Sequence, residues 1–250
     1  MFEQHARPII FAHRGASAVA PENTLEAFDL AFQQGAQGIE LDAKLSRDGE
    51  VVVIHDTTVD RTTDGHGRVA SISLKQLESL NAGNANNASF SKCKIPTLEE
   101  VFDAFGRRGI INVELTNYVT PGDMLVEKVC SLISKHGLQD SILLSSFLGR
   151  NLNASARLLP SVHRGLLALP GWLGIWQRSF GFMLGNYQCL HAWLQDVDQH
   201  QVLRVHRLGR LILVWTVNTG EDVLKLKEWG VDGIFTDDPE MAVHLLGRLD

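Results

Sequence analysis

The sequence predicts a closed (β/α)₈ barrel, an α/β fold class that rests on three observations. Short β-rich runs alternate with longer amphipathic stretches along the 250 residues. Most of these runs are continuously apolar, as expected of parallel strands that are covered on both faces. Eight such runs occur, and a chain of this length suits one α/β barrel. An open, doubly wound sheet is the competing architecture, because periodicity alone does not exclude it.

The candidate strands are short and lie between predicted helices. They are Pro8–Ala12, Gly38–Leu45, Ile110–Leu115, Ser141–Ser146, Val162–Leu167, Gln188–Ala192, Leu211–Thr216 and Gly233–Thr236. Four signals predict helix starts: capping-box spacing at Asn23/Glu26 and Thr97/Glu100, and a capping residue before proline at Thr120-Pro121 and Asp238-Pro239. Glycines that suit left-handed helix ends are Gly137, Gly209 and Gly230.

Two segments interrupt this rhythm. Residues 57–95 are too many for a βα loop, and the polar stretches 64–67 and 84–87 indicate an insertion on the surface. The segment Gly171–Gly185 is rich in large apolar residues, which favours a helix packed on the barrel wall; a hydrophobic rim for a lipid-like substrate is the alternative. The chain has no long linker, so we predict one domain over residues 1–250.

Composition narrows the function classes. The formal net charge is −6 and no basic stripe is visible, so a nucleic-acid partner is not expected. The first residues lack the apolar core of a signal peptide, and no apolar run is long enough for stable membrane insertion. Three scattered cysteines read as reduced thiols, which favours the cytoplasm. The sequence does not indicate an oligomeric state.

Candidate catalytic residues follow the first two strands, at the end where barrel active sites form. The first strand leads into His13 and Arg14, which could combine acid–base chemistry with an anion clamp. On the second strand, Glu40, Asp42 and Lys44 share one face because side chains alternate with period two. Two carboxylates leaving an apolar strand together repel each other, and a cation between them would relieve this repulsion.

A hairpin after the second strand is predicted to bring His55 to the same place. If the turn centres on Asp48, paired residue numbers sum to about 96, and His55 returns to the level of Leu41. A third carboxylate, Glu114, lies near the end of a later strand. Three carboxylates without a cysteine favour one hard divalent cation, Mg²⁺ or Ca²⁺, over structural zinc.

These residues, in this order, resemble the glycerophosphodiester phosphodiesterases. The resemblance spans residues 8–240 and rests on motifs that are specific only in combination. They are His13-Arg14-Gly15, Pro21-Glu-Asn-Thr24, Glu40-Leu-Asp42, Asp48-Gly49, His55-Asp56, Glu114, Ser145-Ser-Phe147, Trp215-Thr-Val-Asn218 and Thr236-Asp-Asp-Pro239.

The resemblance implies a TIM barrel of the phosphatidylinositol-phospholipase-C-like type, with an insertion after the His-Asp pair. It implies metal-dependent hydrolysis of glycerophosphodiesters, for example glycerophosphocholine and glycerophosphoethanolamine, to sn-glycerol 3-phosphate and an alcohol. His13 and His55 would then be the acid–base pair. Glu40, Asp42 and Glu114 would be the metal ligands.

One position departs from the family pattern. The family usually has lysine two residues after the third acid, where this chain has Thr116. Lys44 could replace the missing charge by approaching the phosphate. Alternatively, it could be a solvent-exposed residue on the hairpin without a role in the reaction. Phe147 and Trp215 are candidate walls of the substrate pocket, and His191 is a candidate substrate-binding residue; packing roles are the alternative for all three.

Two other functions stay open at this point. The first is lysophospholipase D-like activity on long-chain lysolipids, which the apolar segment 171–185 favours. The second is a catalytically silent barrel that binds phosphodiesters, although a pure binder has no need of two paired histidines.

Overall fold

Eight parallel strands close into a barrel in the computed structural model, which describes residues 2–83 and 90–247. The barrel strands are β1 (Ile9–His13), β2 (Gly38–Leu45), β4 (Ile110–Leu115), β5 (Ile142–Ser146), β6 (His163–Leu167), β7 (Cys189–Trp193), β8 (Leu211–Trp215) and β9 (Gly233–Thr236). A short strand, β3 (Val51–Val53), pairs antiparallel with β2 outside the ring. Because β1 pairs with both β2 and β9, the sheet is closed, which confirms the barrel and excludes the open sheet.

Helices cover the outside of the strands. They are α1 (Leu25–Gln33), α2 (Leu74–Leu77), α3 (Leu98–Phe105), α4 (Leu125–His136), α5 (Gly149–Leu158), α6 (Phe182–Leu184), α7 (Gln199–Arg207), α8 (Gly220–Trp229) and α9 (Pro239–Leu245). The capping box at Thr97 and the Asp238 cap before Pro239 are confirmed. Gly137 and Gly230 end their helices with positive φ, as predicted. No helix in these ranges is both long and apolar enough to cross a membrane.

Two predicted helix starts are wrong. The cap of α1 is Thr24, whose hydroxyl accepts from the Ala27 amide, because Asn23 adopts φ +58° and turns its side chain elsewhere. Helix α4 begins at Leu125 rather than at Pro121. The reason is a turn in which the Thr120 hydroxyl donates to Asp123, whose carboxylate then accepts from the Leu125 amide.

The alternation of side chains along each barrel strand separates two cores. Outward-facing residues such as Ile10, Ile39 and Leu41 pack against the helices in one large cluster. A smaller cluster fills the barrel interior near the amino ends of the strands. Its buried members are Phe2, Ile9, Phe11, Ile110, Leu143, Cys189, Leu213 and Phe235. Because this cluster fills one end, inward-facing polar side chains have room only towards the carboxyl ends of the strands.

The described residues of the insertion, 57–83 and 90–95, pack on the hairpin. Their apolar side chains form a separate cluster with those of β3 and the residue that follows it: Val52, Ile54, Val59, Val69, Leu77, Ala82 and Ile95. Asp64 and His66 are exposed, as expected of a surface insertion. The predicted polar stretch 84–87 lies outside the described residues.

The segment 171–185 is not the packed helix that the sequence favours. It forms a 3₁₀ turn (Gly171–Gly174), a wide helical turn (Gln177–Gly181) and α6, with a break at Ser179. Because the break at Ser179 and the change between helix types interrupt the helical period, the segment has no continuous buried face. Phe182 is buried, while seven large apolar side chains are exposed: Trp172, Leu173, Ile175, Trp176, Phe180, Met183 and Leu184. We call these seven residues the apolar edge.

Candidate active site

Three carboxylates meet inside the carboxyl end of the barrel. Glu40 and Asp42 face inwards from β2, and Glu114 lies opposite Asp42 on β4. One oxygen of each lies within 4.8 Å of the others. Glu40 and Asp42 are almost completely buried. The register of the strands therefore brings the three acids together, as the sequence predicts.

Each carboxylate is oriented by one hydrogen-bond donor. Within the described residues, the other oxygen of each carboxylate accepts no hydrogen bond, so three oxygens are left for a ligand. The donors to Glu40, Asp42 and Glu114 are the Arg14 amide at 3.0 Å, the Asn23 side-chain amide at 2.9 Å and the Tyr118 hydroxyl at 2.7 Å.

The electrostatics of this cluster fit a divalent cation. Burial and the neighbouring Asp42 raise the pKa of Glu114 to about 8 and raise the pKa of Glu40 well above its ordinary value. Buried carboxylates that repel each other hold protons unless a cation replaces them. The donors are all oxygens, as Mg²⁺ and Ca²⁺ prefer.

His13 ends β1 beside this cluster, opposite Glu40 in the strand register. Its Nδ1 lies 2.7 Å from a carboxylate oxygen of Asp237, which follows β9. Asp237 also accepts from the Ser17 hydroxyl at 3.1 Å and the Asn218 amide at 2.6 Å. Since Nδ1 is engaged, Nε2 is the ring nitrogen that can exchange a proton with a ligand.

His55 arrives from the hairpin in the predicted register. Val53 pairs with Ala43 and Val51 with Leu45, so the paired numbers sum to 96. Like His13, His55 has its Nδ1 on a carboxylate, here Asp56 at 2.7 Å. The side chain of His55 is 42% exposed and that of His13 21%, so His55 is the more open of the two.

Arg14 adds positive charge at the same mouth. It adopts φ +59° and donates to Glu22 at 3.0 Å, and its Nε lies 3.4 Å from Asp42. Burial lowers the pKa of Arg14, but the nearby carboxylates of Asp42, Glu40 and Glu22 outweigh this and raise it overall. Arg14 and Glu22 therefore form an ion pair at this end of the barrel.

A cavity of about 100 Å³ opens between these residues. It is lined by His13, Arg14, Glu40, His55, Asn112, Glu114, Ser145, Phe147, Leu167, His191, Trp215 and Phe235. Three buried polar atoms on its wall have no hydrogen-bond partner among the described residues: Asn112 Oδ1, His191 Nε2 and Trp215 Nε1. Because buried polar atoms are normally paired, these atoms indicate a polar ligand or water in the cavity.

Similar proteins identify the family of this chain. Residues 13–241 match the glycerophosphoryl diester phosphodiesterase family. A glycerophosphodiester phosphodiesterase of Caldanaerobacter subterraneus subsp. tengcongensis is 35% identical over 243 residues, which are 97% of this chain and 99% of that protein. The chain belongs to the glycerophosphoryl diester phosphodiesterase family.

Solved structures of phosphodiesterases share the fold. A phosphodiesterase of Oleispira antarctica, in complex with the product sn-glycerol-3-phosphate, is 32% identical with a TM-score of 0.87, over 96% of this chain and 97% of that chain. A glycerophosphodiester phosphodiesterase of Agrobacterium tumefaciens is 27% identical with a TM-score of 0.81, over 94% and 98%. This protein is an enzyme of the same family, a phosphoric diester hydrolase.

Lys44 is placed differently from the two alternatives that the sequence left. It is 8% exposed, so it is not a solvent-exposed residue on the hairpin. Its ammonium donates to the Thr116 hydroxyl at 2.7 Å and to the Thr116 carbonyl at 3.0 Å, and it does not line the central cavity. Burial lowers the pKa of Lys44, although Asp42 and Glu114 partly offset this. The ammonium of Lys44 is thus held by the residue that stands where this family usually has lysine.

The three other predicted substrate residues all line the cavity. The rings of Phe147 and Trp215 meet edge to face, with centroids 5.9 Å apart. The ring of His191 is buried against Gly165, and burial lowers its pKa to about 3, so it is neutral. Both the pocket role and the packing role are compatible with these positions.

Sequence reasoning missed the residues that orient the candidate catalytic groups. Asn23 was interpreted as a helix cap, but its side chain holds Asp42. Asp237 lies in the Thr236-Asp-Asp-Pro239 motif, yet nothing local pairs it with a histidine 224 positions away. Tyr118 carries no signal, since it follows β4 and reaches back four residues to Glu114.

Proposed function

We propose that the enzyme hydrolyses glycerophosphodiesters, such as glycerophosphocholine and glycerophosphoethanolamine, to sn-glycerol 3-phosphate and an alcohol. The observation that carries this proposal is the convergence of three carboxylates and two carboxylate-paired histidines on one small polar cavity. The unpaired polar atoms of its wall suit the hydroxyl groups of a glycerol moiety. The relative from Oleispira antarctica, which binds sn-glycerol-3-phosphate, supports the same product class.

Glu40, Asp42 and Glu114 would hold one divalent cation, Mg²⁺ or Ca²⁺. When bound, this cation supplies positive charge that neutralises the phosphate and stabilises its transition state. Arg14 and Lys44 are the protein cations nearest to the carboxylates, and we assign Arg14 to the phosphate oxygens. Phe147, Trp215 and His191 would form the wall of the glycerol pocket.

His13 and His55 would move the protons. One histidine takes the proton of the glycerol 2-hydroxyl, whose oxygen then attacks phosphorus. The bond from phosphorus to the alcohol oxygen breaks, and the other histidine protonates that oxygen. Water opens the resulting cyclic phosphate while the two histidines exchange roles. The carboxylates of Asp237 and Asp56 fix each ring and stabilise its protonated form.

The direct test is a product assay in the presence of Mg²⁺ or Ca²⁺. Glycerophosphocholine should yield sn-glycerol 3-phosphate and choline, whereas phosphocholine and glycerol would contradict the proposed bond cleavage. His13→Ala and His55→Ala should each lower kcat by about 10²- to 10⁴-fold while cation binding stays unchanged. A variant that retains normal kcat would return that histidine to a structural role.

A second candidate function is hydrolysis of lysolipids that carry a long acyl chain. The apolar edge favours lysolipid hydrolysis, because the segment that carries it, 171–185, begins four residues after Leu167, and Leu167 lines the cavity. Gln177 of the same segment donates to the Phe147 carbonyl at 3.2 Å. Measuring kcat/KM against acyl-chain length separates the two candidates: a rise with length supports lysolipids, and a fall excludes them.

We further propose that residues 1–250 act as one domain in which 57–95 is an insertion, and that the protein works in the cytoplasm. Cys93, Cys130 and Cys189 are all free and buried, which suits a reducing compartment. Limited proteolysis tests the domain assignment, since a single domain should resist cleavage outside the insertion.

A further inference from the structure

The apolar edge is a fixed surface of the enzyme. Trp172, Leu184 and Trp176 are 78%, 75% and 62% exposed. The segment is nevertheless held firmly by Arg178, which is itself largely buried. Its guanidinium donates to the carbonyls of Leu169 and Gly171 and to the Asp196 carboxylate, at 2.7 to 2.8 Å. Large exposed apolar patches on folded proteins mark sites of interaction.

The residues around the apolar edge are cationic in an otherwise acidic protein. Residues 141–210 contain seven arginines and two aspartates, whereas the whole chain has a net charge of −6. Both aspartates are engaged within the protein: Asp196 accepts from Arg178, and Asp198 caps α7. The segment 171–185 itself contains no carboxylate.

The fold places these charges on both sides of the edge. The segment connects β6 to β7, so it lies between α5, which connects β5 to β6, and α7, which connects β7 to β8. Arg150 and Arg157 are exposed on α5, and Arg204 and Arg207 are exposed on α7. The apolar edge therefore lies between two pairs of arginines, which we call the arginine rows. We call the apolar edge together with these rows the strip.

We propose that this strip docks the enzyme on an anionic phospholipid surface. Tryptophan, phenylalanine and leucine enter the headgroup boundary of a bilayer, and flanking arginines pair with lipid phosphates. Docking on a second copy of the chain fits less well, because a face-to-face pair would bring the arginine rows of both copies together. This inference goes beyond the proposed hydrolysis, since it concerns where the enzyme resides and needs no substrate.

The test is co-sedimentation of the full-length enzyme with vesicles, without substrate. We expect partitioning onto vesicles of phosphatidylglycerol and phosphatidylcholine in equal amounts to exceed that onto pure phosphatidylcholine by about tenfold. Binding should fall at high salt. The tryptophan emission should shift to shorter wavelength on the mixed vesicles.

Matched variants separate the strip from general surface hydrophobicity. Trp172→Ser/Trp176→Ser should lower partitioning by about tenfold or more and remove the emission shift. Leu173→Ser should weaken binding, whereas Leu224→Ser, an exposed leucine on α8, should not. Arg157→Gln/Arg204→Gln should remove the preference for phosphatidylglycerol. Hydrolysis of bis(p-nitrophenyl) phosphate and the melting temperature verify that each variant is folded.

Three results would overturn the proposal. One is a wild-type enzyme that binds neither vesicle, and another is a tryptophan double variant that binds as well as wild type. The third is a wild-type dimer in sedimentation velocity that the double variant converts to a monomer, since the strip would then be a self-association face. Because vesicle binding is read without turnover, a failure here is distinct from a failure of the proposed activity.

Discussion

Each candidate catalytic histidine carries a carboxylate on the same ring nitrogen, but the two pairs are built differently. Asp56 is the next residue after His55, so that pair is local. Asp237 follows β9 and contacts His13 where β1 and β9 close the barrel, and it accepts hydrogen bonds from Ser17 and Asn218. Although burial opposes ionisation, the hydrogen bond from His13 and the other donors lower the pKa of Asp237 overall. Asp237 is thus ionised and fixed, as a residue that positions a histidine must be.

Asp237→Asn should therefore lower kcat by about 10²- to 10⁴-fold with little change in KM, because the asparagine can stabilise the wrong tautomer of His13. The pH profile of kcat should shift as well. Asp238→Asn is the matched control, since Asp238 caps α9. It should cost about 1 kcal/mol of unfolding free energy or less and leave kcat unchanged. Normal turnover by Asp237→Asn would reduce Asp237 to a structural residue.

Lys44 provides the second prediction for a single residue. Its buried ammonium rests on Thr116, which occupies the position of the family lysine. If this charge acts on the phosphate, Lys44→Met should lower kcat/KM about tenfold, equivalent to about 1.4 kcal/mol. Adding Thr116→Lys to that variant should recover part of the loss, because it returns a lysine to the position where the family usually has one. Wild-type kinetics for Lys44→Met would leave Arg14 and the cation as the only charges required.

At the scale of elements, two adjacent residues in the turn before α1 have different roles, one structural and one functional. Thr24 caps the helix, whereas Asn23 adopts a left-handed conformation and donates to Asp42. Thr24→Ala should cost about 1 kcal/mol of unfolding free energy and leave cation affinity intact.

Asn23→Gly keeps the backbone conformation but removes the amide that orients Asp42. It should weaken cation binding by about 10- to 100-fold, which is typical when the partner of a metal ligand is lost. Isothermal titration with Ca²⁺ and chemical denaturation measure the two effects separately. Equal cation affinity in both variants would contradict the assigned roles.

Strand elements were predictable because burial on both faces leaves continuous apolar runs, and predicted strand ends lie within one residue of those observed. The hairpin register was predictable too, since it follows from the position of one turn. The contacts of Asn23, Tyr118 and Asp237 were not, because barrel closure and loop paths bring them to their partners. The prediction for the apolar segment is wrong, because composition indicates burial while the break at Ser179 interrupts the period that burial requires.

At the scale of the whole molecule, the acid cluster links stability to pH and to the cation. The pKa of Glu114 is about 8 against an ordinary value of 4.5. A carboxyl group with a raised pKa in the folded state contributes stability that is fully present below the unfolded value and is lost as pH rises through the folded value. The cation-free enzyme should therefore lose stability between about pH 5 and 8.

Thermal unfolding in EDTA and in excess Mg²⁺ or Ca²⁺, at pH 6 and pH 8, measures this linkage. The cation should raise the melting temperature at both pH values and more strongly at pH 8, with each 1 kcal/mol equivalent to about 2–4 °C. Glu114→Gln should remove most of the pH dependence and most of the cation effect. Identical melting curves with EDTA and with cation would remove the metal from the proposed chemistry.

Closure of the barrel between β1 and β9 also has a consequence for the timing of activity during synthesis. His13 is made 224 residues before its carboxylate partner Asp237, and the strand that seals the ring ends at Thr236. A nascent chain that has not yet released these residues from the ribosome has neither a closed ring nor a fixed His13. Turnover therefore begins only after β9 and Asp237 have left the ribosome, and a ribosome-bound chain arrested before Thr236 should be silent.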